Sequence, residues 1–514
     1  MPSTTKFTLL IIATFIAMVF IACTPSRGQV DTTPFQPTPQ SASQGQSPAP
    51  TPLAATLRRL TAAYGGQALL KLKTVSIQSD RRLAWPGQGH SAAFVNFVHD
   101  RQIRHIDLIN EVGLVERWID QNGNAFHSFT EITARGGRAG DLFAMTAQAQ
   151  PEASFLASFA PDIRSVDLLM AHRLATGKTA ATHQGTAYVH DQVHDLLTAT
   201  LLEGSPEMTI YVGRQSGLIS QITLTRSIGE VVLAFDQPRT EGGVTYAAET
   251  HVFLNQTLVE FEQETQVSVN TDISTLTTIT LPLRTPPMSV DHTAMTVDEI
   301  APGLYHVGQD DYSLFAQTDA GLVVVNSASG LLARYDALAA HLGRRPALTH
   351  AIATHHHSDH MDGIEVALDL GATIMVTGAA RETVTTRQQF TAYSDRFETM
   401  TDRMDLGPFT IHLAGTEHAS ENAFVYHGAS GALFQDDHYH GLYTDEPTRV
   451  QRSALTLRSI LGERGVEVSL LLSGHARKAE QWALFEKSAT RPDAGDLCPT
   501  RRPICADRAL KRQQ

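Results

Sequence analysis

Cysteine, basic charge and long apolar runs are all scarce in this 514-residue chain. Only Cys23, Cys498 and Cys505 are present. Cys23 stands alone near the N-terminus, while the other two sit close together around Pro499 and Pro503. In an oxidising compartment that pair can close a small disulfide loop, and two free thiols or a weak metal pair are the alternatives. Lys and Arg number 40 against 53 Asp and Glu, a formal charge of −13. Nucleic-acid binders carry a basic face, so this balance argues against a nucleic-acid partner. The long apolar run, 7–22, is shorter than the ~20 residues that a membrane-spanning helix needs. Hydrophobic residues still make up 42% of the chain, enough for buried cores, and the length predicts two or three domains.

The N-terminus reads as a targeting signal. Lys6 supplies the positive charge ahead of the apolar run, which ends in Phe20-Ile21-Ala22-Cys23. That ending resembles the lipobox of a bacterial lipoprotein, with Phe20 departing from the usual leucine. The resemblance implies a signal peptide over 1–22, lipidation of Cys23 and a membrane partner reached through that lipid anchor. A plain cleaved signal and an uncleaved anchor are the alternatives. By the same resemblance, Thr24 in place of aspartate implies the outer membrane, and the expected location is the cell envelope, facing the periplasm. Residues 23–53 are rich in Pro, Ser, Gln and Thr, and bury too little apolar surface to offset their ordering entropy. They are expected to be a tether.

Residues 54–287 read as a separate β-rich accessory domain. Leu57, Leu60 and Ala63 have helical spacing, and Gly65-Gly66 stops that helix. Val244, Tyr246, Ala248, Thr250, Val252 and Leu254 alternate as one face of a strand, and Val259 with Phe261 begins another. Between about 135 and 200 the pattern is helical or irregular. The expectation is an antiparallel sheet with a helical cover. Tyr64-Gly65-Gly66 with Leu69-Leu70, and the strand-rich second half, resemble the half-barrel of periplasmic lipoprotein carriers. That resemblance implies an apolar-ligand site, with a spacer or docking module as alternatives.

From 288 onward strands and helices alternate: strands over 300–307, 314–318 and 322–325, a helix over 331–342, then Ala351-Ile352-Ala353, an apolar run that ends at Thr354. Directly after Thr354 stand His355-His356-His357-Ser358-Asp359-His360. In extended backbone the rings of His355 and His357 project to one side and that of His356 to the other. Asp359 and His360 come where the chain bends, so one loop can serve two adjacent metal ions. No side-chain nucleophile stands out, because Ser358 is flanked by ligand types and has no free base.

This stretch resembles the His-x-His-x-Asp-His motif of the metallo-β-lactamase superfamily. The further ligands of that family have matches at His418 after strand 410–413, at Asp437 after Ala432-Leu433-Phe434, and at His475 after Leu470-Leu471-Leu472. The resemblance covers 288–490, leaving 491–514 as a C-terminal tail, and implies an αββα sandwich. It assigns His355, His357 and His418 to one metal and Asp359, His360 and His475 to a second, with Asp437 bridging. Imidazole and carboxylate without thiolate suit zinc and also admit iron or manganese. The implied function is a hydrolase in which a metal-bridging hydroxide cleaves an ester, lactone, thioester or amide of a small-molecule substrate, with Asp359 carrying the proton. A β-lactam-hydrolysing enzyme is one alternative; a non-enzymatic lipid-binding lipoprotein with a relic metal site is another. Asn326 stands where the family often has aspartate, and Asp436 precedes Asp437 where glycine is usual, so a register with Asp436 as the ligand stays open. His438, Tyr439, His440 and Tyr443 come next on a loop expected at the metal mouth, and Arg477 is placed to pair a substrate carboxylate. The short segment after His475 lacks the helical domain of the hydroxyacyl-glutathione thioesterases and the extra domain of the nucleic-acid-cleaving branches.

Overall fold

The computed structural model describes residues 51–505 except 86, 94–95, 122–123, 190, 286–293, 386 and 442–445. The signal segment, Cys23, residues 24–50 of the tether and Tyr443 lie outside the described residues. Among those described, no helix is long and apolar enough to cross a membrane. The described chain is mixed α/β with large antiparallel sheets.

Two compact units are present, and their division does not follow the order of the sequence. One comprises 51–73, 156–258 and 263–271; the other comprises 74–155, 259–262 and 272–505. The expected boundary at 287 is therefore not where the units divide: strands 74–155 group with residues 272–505. Proximity between residues far apart in the chain groups them, and it leaves no local periodicity in the sequence.

In the first unit the helix Pro52–Ala63 starts on Thr51, whose side chain accepts from Ala54 N, with proline in the first turn. It stops where expected. Gly65 has φ 107°, and a Cβ there would meet the Gly243 carbonyl oxygen at 2.0 Å, so only glycine allows the approach. Six strands from Ala181–Val189 to Val244–Leu254 pair antiparallel in chain order. The helix Asp167–Ala175 is buried along nearly its whole length. It is locked by Tyr64, whose hydroxyl donates to Asp167 Oδ2 at 2.7 Å, and by Ala247 N, which donates to Oδ1 at 3.0 Å.

The stretch 135–200 departs from expectation: besides two helices it contains the strands Gly136–Asp141, Thr146–Gln150, Ala181–Val189 and Gln192–Ala199. The first has no apolar side chain larger than alanine, and the third alternates between half-buried and exposed residues, with its largest side chain, Tyr188, on the exposed face. Without a hydrophobic period of two, their pairing is invisible locally.

In the second unit, Thr74–Trp85 to Thr146–Gln150 form an antiparallel meander. Its interior carries ion pairs: the fully buried Arg104 guanidinium donates to Glu262 and Ser79. A seven-stranded sheet runs from Thr296–Ala301 to Phe397–Thr399, and a six-stranded sheet from Met404–Leu406 to Ala476–Gln481. Three apolar clusters tie these parts together. Phe315, Val324, Ala351 and Ile374 pack with Leu331, Leu338, Ile364 and Ala367 of the helices Leu331–Leu342 and Ile364–Asp369. Leu314, Val323, Ile352 and Met375 pack with Ile411, Val425, Phe434 and Leu472 of the six-stranded sheet. Phe424, Leu433 and Leu471 pack with Leu457, Leu461 and Phe485 of the helices Arg452–Glu463 and Trp482–Ala489.

Candidate metal centre

Each ligand position lies just beyond a buried strand. Leu348–Ile352 is parallel to both of its neighbours and delivers Thr354 and the histidines after it. His357 has extended backbone and caps the short helical turn Ser358–Met361, which carries Asp359 and His360. His418 follows Phe409–Ala414, Asp437 follows Ala432–Phe434, and His475 sits in the turn between Leu470–Ser473 and Ala476–Gln481. A strand-end position suits a ligand, because the sheet fixes the backbone while the side chain leaves the ladder.

The structure brings all seven together as two groups that share one carboxylate: His355, His357, His418 and Asp437; and Asp359, His360, His475 and Asp437. Asp437 Oδ2 lies 2.9 Å from His418 Nε2, 3.3 Å from His355 Nε2 and 2.9 Å from His360 Nε2. Its Oδ1 lies 2.9 Å from His475 Nε2. His475 is the most exposed ligand, its side chain 32% accessible, whereas the rings of His355, His357 and His360 are buried, so the centre opens on the His475 side.

Whether these groups fit metal ions is answered by the donor atoms. Nδ1 of His357 is buried and has no hydrogen-bond partner among the described residues, while its Nε2 contacts the Gly89 carbonyl. His355 and His418 bring their Nε2 atoms to 3.1 Å, and His360 and His475 bring theirs to 3.3 Å. Two nitrogens each ~2.0–2.1 Å from one tetrahedral zinc are ~3.3 Å apart. An orphaned buried nitrogen and paired imidazole lone pairs therefore fit two divalent ions.

Electrostatics separate the two groups of imidazoles. Burial, then the neighbouring imidazoles, pushes His355 and His357 well below the usual histidine range, leaving them neutral as metal ligands must be. Burial also pulls His360 down, but Asp359, Asp436 and Asp437 outweigh it and raise this ring well above the usual range. Burial pushes Asp437 up, yet the charges of His360 and His475, with hydrogen bonds from His355 and His360, hold it well below the ordinary carboxylate range.

Asp436 lies behind His360: its Oδ2 is 3.1 Å from Nδ1 of that ring, and Asn326 Oδ1 is 3.0 Å from the same nitrogen. His356 belongs to neither ligand group, and its Nε2 is 2.8 Å from the Gly89 carbonyl oxygen. His438 is buried, held by Thr416 Oγ1 and the Gln435 carbonyl oxygen, and its ring centroid is 5.4 Å from that of His418. Tyr439 points into the core against Phe485, its hydroxyl bonded to Thr448. The exposed His440 is bonded to Ser473 Oγ through Nδ1, beside His475. Arg477 is paired with Asp298. Cys498 and Cys505 form a disulfide.

Three residues at the centre carry no local signal. Asp311 Oδ1 is 3.2 Å from His475 Nδ1, Gln88 Nε2 donates to Asp359 Oδ1, and Gly89 accepts from two histidines. Asp311 stands in an Asp-Asp-Tyr run before a strand, and Gln88 and Gly89 in a Gly-Gln-Gly turn, patterns found in ordinary loops.

No family model and no curated protein matches the chain. Solved structures similar to it include TMB-1, at 15% identity over 38% of this chain and 95% of that one, with a TM-score of 0.31. A metallo-β-lactamase from Hirschia baltica is similar at 15% identity over 38% of this chain and 96% of that one, with a TM-score of 0.29. The metallo-β-lactamase FIM-1 from Pseudomonas aeruginosa, in its mono-zinc form, has 16% identity over 39% of this chain and 95% of that one, with a TM-score of 0.29.

Proposed function

We propose that this chain is a dinuclear metal-dependent hydrolase of a small-molecule ester, lactone, thioester or amide, built on an αββα sandwich over 288–490. The observation that carries the reading is the sharing of Asp437 between two complete groups of ligand atoms. A single site needs no such carboxylate, and a polar surface cluster would not bury three imidazoles with one nitrogen orphaned.

Divalent ions held there, zinc before iron or manganese, supply Lewis acidity and bring the pKa of water toward ~7. The rest is work for the side chains. His355, His357 and His418 hold one position, and Asp359, His360 and His475 hold the other. Asp436 and Asn326 fix the His360 ring from behind, and Asp311 does the same for His475. Asp359 has Oδ1 engaged by Gln88 and turns Oδ2 toward His360 and His475. It is the group to take a proton from the attacking water and return it to the leaving group. Substrate enters on the His475 side, where the exposed His440 also lies.

The test is metal analysis of the purified chain together with a substrate panel of esters, lactones, thioesters, amides and β-lactams. Near two equivalents of metal per chain, with turnover of at least one class that is lost in His357→Ala, is expected. A chain with no metal and no turnover that co-purifies with lipid would favour the lipid-binding alternative. Turnover confined to β-lactams would select the β-lactam-hydrolysing alternative.

Export and lipid anchoring at Cys23 belong to the same proposal and rest on Lys6, the apolar run and the lipobox-like ending. Labelled palmitate should enter the wild-type chain and not Cys23→Ser; equal labelling would remove the anchor.

A further inference from the structure

The turn at 87–90 comes after the strand Thr74–Trp85, more than two hundred and sixty residues before the histidines in sequence, yet all four of its carbonyl groups accept hydrogen bonds. The Gly87 carbonyl accepts from Ser358 N at 3.0 Å, between ligands His357 and Asp359. The Gln88 carbonyl accepts from Gln121 Nε2 at 2.7 Å, which ties the turn back to its own sheet. The Gly89 carbonyl lies 2.8 Å from His356 Nε2 and 3.0 Å from His357 Nε2. The His90 carbonyl accepts from Ser420 N at 2.8 Å, two residues past ligand His418.

Two of these contacts act on ligand atoms. A carbonyl only accepts, so the Gly89 contact puts the His357 proton on Nε2 and leaves the lone pair on Nδ1, which is buried and has no hydrogen-bond partner among the described residues. An amide nitrogen only donates, so the Gln88 contact occupies Asp359 Oδ1 and leaves Oδ2 for the second group. In this way one turn sets the tautomer of a ligand in the first group and the rotation of a carboxylate in the second.

We propose that the turn at 87–90 is a built-in part of the metal centre, with Gln88 a positioning residue for Asp359 and the Gly89 carbonyl a positioning group for His357. The strand-rich segment 74–155 then has a direct task in hydrolysis, beyond spacing or ligand carriage. The inference rests on the dinuclear reading above.

The experiment uses the purified full chain. Zinc is titrated in competition with a chromophoric chelator for wild type, Gln88→Met, which keeps the length of the side chain and removes its donor, and Gln88→Glu, which sets a second carboxylate against Asp359. Tyr188→Ala, at an exposed position, serves as the control. In both Gln88 variants the first zinc should stay at wild-type affinity and the second should weaken by about 10–100-fold, the range for an outer partner of a ligand, with kcat falling more than KM changes. Wild type with two zincs, and folded variants that hold both at wild-type affinity, would overturn the inference and leave the hydrolase reading standing. Wild type with no zinc site would overturn both. Should the variants fail to fold, long-range nitrogen–proton spectra of the wild-type imidazoles decide the matter. An Nε2–H tautomer at His357 in the metal-free chain supports the positioning role, and an Nδ1–H tautomer overturns it.

Discussion

His360 Nδ1 lies 3.1 Å from Asp436 Oδ2, while its Nε2 faces Asp437, so two consecutive aspartates address opposite ends of one imidazole. Asp436 has a left-handed backbone, φ 58°, which turns its side chain away from the direction taken by Asp437. The two positions should therefore carry different penalties. Asp437→Asn should abolish retention of both metals, since both groups lose a member. Asp436→Asn should weaken only the second metal, by about 10–100-fold. Stepwise zinc titration separates the two; equal losses would contradict the division of labour.

Gly474 stands beside ligand His475, and a Cβ there would meet Asp436 Oδ1 at 1.8 Å and Asn326 Nδ2 at 2.7 Å. Both neighbours orient His360, so neither yields freely. Gly474→Ala should weaken the second metal and lower the metal-free Tm, by a cost of about 1–3 kcal/mol for overpacking. Calorimetry of the metal-free protein is the check, and an unchanged Tm would mean that the close approach is relaxed in solution.

His172, on the buried helix Asp167–Ala175, has a buried Nδ1 with no hydrogen-bond partner among the described residues. Burial, aided by the charges of Lys178 and Arg173, lowers its pKa from 6.5 to about 4. The folded state keeps the ring neutral while the unfolded chain binds a proton below ~6.5, so stability is full above that pH and is lost as pH falls toward ~4. The loss amounts to about 3 kcal/mol. Chemical denaturation between pH 7 and 4 should be steeper in pH for wild type than for His172→Gln; identical slopes would show that another group governs acid unfolding.

The disulfide Cys498–Cys505 closes a loop whose Ile504 is fully buried among Trp118, Ala125 and Phe143. Arg502 within that loop is paired with Glu116, and Arg101 donates to the Ile504 carbonyl. Loop entropy alone makes such a short closure worth about 2–3 kcal/mol. Cys498→Ser with Cys505→Ser should lower Tm accordingly and leave metal content unchanged, because no ligand lies in the loop. A matching loss of metal would link this strap to the centre.

The sequence was most legible where chemistry and local geometry coincide. The helix at 331–342 and the strands around the ligands declare themselves by period and apolar content, and each ligand stands where such a strand ends. A strand-end imidazole or carboxylate can be read from its immediate neighbours, and the seven side chains read that way are ones the fold brings close together. The substrate candidates were read less well: Tyr439 was expected on a loop at the metal mouth and Arg477 to pair a substrate carboxylate, but Tyr439 packs into the core and Arg477 pairs with Asp298.

Tertiary structure alone decided what stands behind the ligands. His357 and Gly89 are 268 residues apart, Asp359 and Gln88 are 271 apart, and neither pair leaves a spacing to notice. Nor does a Gly-Gln-Gly turn announce that its carbonyls will choose a tautomer. The residue types of the candidate metal centre are set by local sequence, because coordination chemistry restricts them to a few side chains. Their orientation is set by the fold, because a hydrogen bond to a backbone carbonyl can be supplied by any residue the chain brings within about 3 Å.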